Sequence, residues 1–81
     1  MQNVVHNYYK RQFDDFTVLV QVNPVTYKGM ELTIHKNGEI EKRKMEFDEE
    51  IYDDLAADEF QESSSLEFNL YLKGLVKGGE K

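Results

Sequence analysis

"EIEKRKMEF", residues 39–47, does not fit a strand with a single buried face. Side chains on a strand alternate between faces, and here Ile40 is even-numbered while Met45 and Phe47 are odd. A one-faced strand holds all three only with an extra residue, so a β-bulge is expected within 41–44. Immediately upstream, Asn37-Gly38 between two alternating segments signals a hairpin, with a type I′ turn that needs positive φ at both central residues. The segment before it, "MELTIHK" (30–36), sets Met30, Leu32 and Ile34 on one face. "FTVLVQV" (16–22) sets Phe16, Val18, Val20 and Val22 on one face, with Thr17, Leu19 and Gln21 on the other. Asn23-Pro24 ends that strand, because proline lacks a ladder donor. These three strands read as a meander.

Downstream, "DEEIYDDLAADEF" (48–60) reads as a helix capped by Asp48. Glu49 and Glu50 complement its positive end. Ile51, Tyr52, Leu55 and Ala56 form its buried stripe, and Phe47 with Tyr52 is placed as a hydrophobic staple. Ser63–Ser65 reads as a loop, and "LEFNLYL" (66–72) as a fourth strand with Leu66, Phe68, Leu70 and Leu72 inward. At the other end, "NVVHNYYKRQF" (3–13) places Val4, Val5, Tyr8, Tyr9 and Phe13 on one helical stripe behind an Asn3 cap, although tyrosine and valine also suit a strand. The expected fold is therefore α+β. It is a small two-layer domain with a four-stranded, mostly antiparallel sheet (three-strand meander, helix, fourth strand) and an N-terminal helix. The last strand is expected beside the first, giving the order 3-2-1-4, with one domain over residues 1–81 and a frayed tail at 76–81.

Composition narrows the chemistry. The 81 residues are 40% hydrophobic and 32% charged, with a net charge of -6, which suits one compact acidic core-bearing chain. The absence of cysteine excludes disulfides, thiolate metal sites and cysteine nucleophiles. No apolar run approaches the roughly 18 residues of a membrane span, and the first residues carry no apolar signal region, so a cytoplasmic protein without membrane contact is expected.

Two charged segments stand out. Residues 35–44 hold Lys36, Lys42, Arg43 and Lys44 against Glu39 and Glu41, a basic hairpin inside an acidic chain. A ribbon of this kind can follow phosphate, but nucleic-acid readers are normally basic as a whole. The first reading of such charge is that it blunts edge pairing and keeps the chain in solution. Residues 46–62 hold nine carboxylates and no cation. They lack the glycine turn and ligand spacing of a calcium loop. Neither His6 nor His35 has neighbours that suggest a triad or a metal site, and the glycines form no phosphate cradle. No cofactor and no catalysis are expected.

A second apolar surface lies opposite the expected core. Leu19 and Tyr71 share it, with Tyr8 and Tyr9 on the N-terminal segment and Asp53, Asp54, Asp58 and Glu59 as an acidic rim. The cover is either the N-terminal helix or another chain. The functional expectation is a non-enzymatic module for protein–protein interaction or self-association, including homodimers. The second reading is weak nucleic-acid binding through Lys36, Lys42, Arg43 and Lys44.

Overall fold

The computed structural model describes residues 5–73. Five strands and two helices follow in order: β1 (Asn7–Gln12), β2 (Phe16–Val22), β3 (Lys28–His35), β4 (Ile40–Glu46), α1 (Ile51–Ala57), β5 (Gln61–Glu62) and α2 (Ser65–Leu72). The strands form one sheet in the order β4-β3-β2-β1-β5, and every neighbouring pair is antiparallel.

This corrects the expected four-stranded, two-layer arrangement in three places. Residues 7–12 are a strand, not part of an N-terminal helix, and Asn3 and Val4 lie outside the described residues. Residues 65–72 are a helix, not a strand; β1 takes the expected place beside β2, and the short β5 pairs with β1 in turn. The third correction is the layering, since one helix packs on each face of the sheet. The expected tail at 76–81 lies outside the described residues.

The β2–β3 register explains the layering. Val18 pairs with Thr33 and Leu19 with Leu32, so the two apolar rows that the sequence suggests are one face are in fact opposite faces. Val18, Val20 and Val22 pack with Ile51 and Leu55 of α1, joined by Tyr9, Phe13, Phe16, Tyr27, Phe47, Tyr52 and Phe60. Leu19, Leu32 and Ile34 pack with Phe68 of α2, joined by Tyr8, Met30, Ile40, Tyr71 and Leu72. Each fully buried aliphatic or aromatic side chain contributes about 1.5–3 kcal/mol relative to exposure, and β2 supplies such residues to both sides. Two-sided burial also removes the need for a bulge. The β3–β4 register runs unbroken from Lys28–Glu46 to Ile34–Ile40, with Ile40 on the α2 face and Met45 on the other.

The β3–β4 turn also differs from the expected type I′. Among the described residues Gly38 is the one glycine with positive φ, at 98°, and Asn37 does not share that geometry. The His35 carbonyl accepts from Gly38 N at 3.0 Å while His35 N donates to Glu39 O at 2.7 Å, and Asn37 Oδ1 accepts from Glu39 N. That is a type I turn followed by a left-handed glycine, the three-residue hairpin loop. Gly29 is required for another reason. A Cβ there would lie 1.8 Å from the Gln21 carbonyl oxygen.

α1 starts at Ile51, with Glu50 as the cap position. Asp48, expected to cap, instead accepts the Glu50 N–H within the preceding turn. Ala56, expected in the buried stripe, is exposed. The helix closes with Glu59 N bonded to Ala56 O and Phe60 N to Leu55 O, a Schellman motif whose left-handed position holds Glu59 at φ 66°. α2 begins with a serine N-cap: Ser64 Oγ accepts from Glu67 N at 3.1 Å.

Candidate protein-binding edge

The four apolar candidates are packed within the chain. Leu19 is 1% exposed and shares a cluster with Tyr8 and Tyr71, with the Tyr8 ring 5.4 Å from that of Phe68. Tyr9 lies on the opposite face, edge-on to Tyr52. Leu19 and Tyr71 therefore do meet, but through α2, which folds onto that face in place of a separate chain. Tyr8 Oη also accepts from Gln21 Nε2 at 3.1 Å. Burial raises the Tyr9 hydroxyl's pKa, with Tyr52 and Glu62 adding to the shift.

Asp53, Asp54, Asp58 and Glu59 all sit exposed on α1 and its C-terminal turn. Arg11 meets the end of this group, donating from Nη1 to the Asp58 carbonyl at 2.6 Å, with Nη2 4.0 Å from Glu59 Oε1. Among the described residues no cluster of three or more His, Asp or Glu has the geometry to hold a metal ion. His6 and His35 are both half-buried. His35 Nε2 lies 3.2 Å from Glu41 Oε2 but is not aligned for a hydrogen bond.

The basic residues occupy one edge of the sheet. β4 is its outermost strand on one side, and among the described residues nothing pairs with its outer edge. Glu41, Lys42, Arg43, Lys44 and Glu46 are exposed, and Ile40 and Met45 are half-buried. Two bonds fix the ladder alternation: His35 N to Glu39 O and Phe47 N to Tyr27 O, each 2.7 Å. In an antiparallel pair, bonded and non-bonded positions alternate, so Thr33–Glu41, Glu31–Arg43 and Gly29–Met45 exchange hydrogen bonds. The N–H and C=O groups of Ile40, Lys42, Lys44 and Glu46 consequently point away from β3.

The side chains alternate as well. Lys42 stands opposite Leu32 and Lys44 opposite Met30, on the α2 face, whereas Arg43 stands opposite Glu31 on the α1 face. The three cations thus straddle the edge, two above the sheet plane and one below it. None of them forms an ion pair within 4.0 Å among the described residues, where the recorded pairs are Lys10–Glu67, Arg11–Glu59 and His35–Glu41. Lys36 is set apart in the β3–β4 turn, its N–H bonded to the Asp15 carbonyl. The sequence places Lys36, Lys42, Arg43 and Lys44 in one hairpin, but it hides the open backbone beside them. That edge becomes visible only once β3, β2 and β1 are known to stack on the other side.

Among the described residues, the ion pair that moves a carboxylate from its ordinary range lies elsewhere. Glu67 is pulled upward by partial burial, yet hydrogen bonds from Lys10 and Ser63 and the Lys10 charge outweigh this, leaving its pKa below the ordinary 4.5. Lys10 Nζ lies 3.0 Å from Glu67 Oε2, and Ser63 Oγ donates to Oε1 at 2.8 Å. This contact ties α2 to β1. Among the described residues no helix is long and apolar enough to cross a membrane. Comparison with known proteins finds no matching family model, no matching characterised protein and no matching solved structure.

Proposed function

We propose that this chain is a non-catalytic association module that takes up an extended segment of a partner protein as a sixth strand beside β4. The supporting observation is the outer edge of β4: seven residues, about 23 Å at the usual strand rise, with four outward-facing backbone positions and exposed side chains on both faces. Natural sheets keep edge strands short, covered or charged; among the described residues β4 is neither short nor covered and carries only its charges. The opposite edge follows that practice, since β5 has only two residues. Strand addition supplies affinity through main-chain hydrogen bonds and selectivity through alternate side chains.

The geometry offers a clean test. Proline is tolerated at an edge position whose N–H faces outward, so Lys42→Pro keeps the β3 ladder and removes one outward donor. A randomised heptapeptide display is panned against the intact chain, with Lys42→Gln as the charge control. Enriched peptides that slow amide exchange at Ile40, Lys42, Lys44 and Glu46, and that bind Lys42→Gln but not Lys42→Pro, support the reading. Binding untouched by Lys42→Pro, or protection confined to another surface, overturns it.

A further inference from the structure

Resting on that reading and deepening it, we infer that the added strand is acidic: three consecutive carboxylates facing Lys42, Arg43 and Lys44, flanked by apolar residues against Ile40 and Met45. The chemistry of the edge selects this occupant over two others.

A second copy of the chain is disfavoured by its own charges. The outward backbone positions are Ile40, Lys42, Lys44 and Glu46, so a two-fold antiparallel pairing must match even-numbered residues with even-numbered ones. Every such register that pairs five or more residues of β4 sets lysine against lysine: Lys42 against Lys42, Lys42 against Lys44, or Lys44 against Lys44. Like charges directly opposite each other on a sheet repel. The full seven-residue overlap also sets Arg43 against Arg43.

A nucleic-acid strand fits the geometry less well. Lying on one face of the sheet, it reaches Lys42 and Lys44 but leaves Arg43 on the far side. A polypeptide lying in the sheet plane projects alternate side chains to both faces, so consecutive carboxylates meet all three cations. Running antiparallel, the partner places an apolar residue opposite Met45, acids opposite Lys44, Arg43 and Lys42, a cation opposite Glu41 and an apolar residue opposite Ile40.

The test uses the intact chain and the heptapeptide Lys-Val-Glu-Glu-Glu-Lys-Val, blocked at both ends, whose first lysine falls opposite Glu46. Two analogues accompany it: Lys-Val-Thr-Thr-Thr-Lys-Val and the charge-swapped Glu-Val-Lys-Lys-Lys-Glu-Val. Amide-resolved titration is run at low and high salt. The acidic peptide should bind at least about tenfold tighter than the threonine analogue and lose that margin at high salt, where exposed charges are screened. The triple variant Lys42→Glu, Arg43→Glu, Lys44→Glu should reverse the preference towards the charge-swapped peptide. Equal binding of acidic and threonine peptides, still abolished by Lys42→Pro, overturns the acidic partner and leaves strand addition standing. Failure of all three peptides to protect the outward amides of β4 overturns both. Preferential binding of single-stranded oligothymidylate, lost in the triple variant, replaces the acidic peptide with phosphate.

Discussion

Leu19 stands directly opposite Leu32 across the β2–β3 ladder, and the two share a cluster with Phe68 of α2. That pairing commits the even-numbered residues of β3 to the α2 face and leaves Val18, Val20 and Val22 for α1. The sheet is therefore buried on both sides along β2, and each side depends on one short helix. Phe68, 1% exposed, is the principal plug on its side.

Phe68→Ala should cost about 3–5 kcal/mol, the usual range for a large buried aromatic. Domains of this kind are stable by only about 5–15 kcal/mol, so the variant should be substantially unfolded or have a sharply lowered urea midpoint. A loss below about 1 kcal/mol would mean that α2 does not seal this face.

Gly29→Ala forces a Cβ to within 1.8 Å of the Gln21 carbonyl oxygen, with the Phe47 ring at 3.0 Å. The obstacle is backbone, which moves only with the β2–β3 ladder. The expected loss is about 2 kcal/mol or more, as for overpacked sites. For a domain this size each 1 kcal/mol lowers Tm by about 4–8 °C. Calorimetry of the variant checks this, and an unchanged Tm would refute it.

Glu59 and Tyr27 both hold left-handed backbone, at φ 66° and 61°. Glycine enters that region freely. Glu59 is exposed beyond a distant contact with Arg11, so Glu59→Gly should stabilise by about 0.5–1 kcal/mol at the Schellman position. Tyr27 packs against the α1-side core and its ring meets Tyr52 edge-on. Tyr27→Gly should therefore lose more packing than it relieves strain and destabilise the protein. Urea unfolding of both variants should move in opposite directions; parallel shifts would disprove the assignment.

Glu67 links pH to stability. Its folded pKa lies below 4.5 despite partial burial, because Lys10 and Ser63 favour the carboxylate. A depressed acid contributes stability above its unfolded pKa, and the contribution disappears as pH falls through the folded value. The Glu67→Gln variant should thus be less stable than the parent near neutrality, and the gap should close as pH drops below 4.5. Both partners are about one-third exposed, so solvent screening keeps the gap small. Denaturation at stepped pH checks it, and a gap that stays constant into acid would contradict it.

The central strands were legible because their signals are local: alternation in Phe16–Val22 and Met30–Ile34, Asn-Gly at the turn, and the buried Ile51 and Leu55 of α1. Register was the missing link. Alternation tells which residues share a face within a strand, but nothing in it says whether Val18 faces Thr33 or Leu32. The parity break at Ile40, Met45 and Phe47 carried that information, since a strand in a sheet covered on both sides needs no bulge. At residues 64–67, Ser-x-x-Glu signalled a helix start. Phe68, Tyr71 and Leu72, the residues that α2 packs inward, have helical spacing, yet Leu66, Phe68, Leu70 and Leu72 also alternate and favoured the strand reading. Tyr8 and Tyr9 imitated a helical stripe because each serves a different face. The candidate edge was half legible: its cations are plain in the sequence, its open backbone is not.

The order of the strands bears on how the chain finds its shape. β1 to β4 are joined by brief turns and each pairs with its sequence neighbour. Their closure carries little entropic penalty and suits rapid assembly. α2 must return to β1, with Lys10 meeting Glu67 across 57 residues of chain. The meander should accordingly form the folding nucleus, with helix docking as the late step. Shortening Phe68 should then leave the refolding rate nearly unchanged and accelerate unfolding, while trimming Val20 to alanine should slow refolding. The helix that secures half of the core would be a latch, fastened after the sheet is built and the first part to let go.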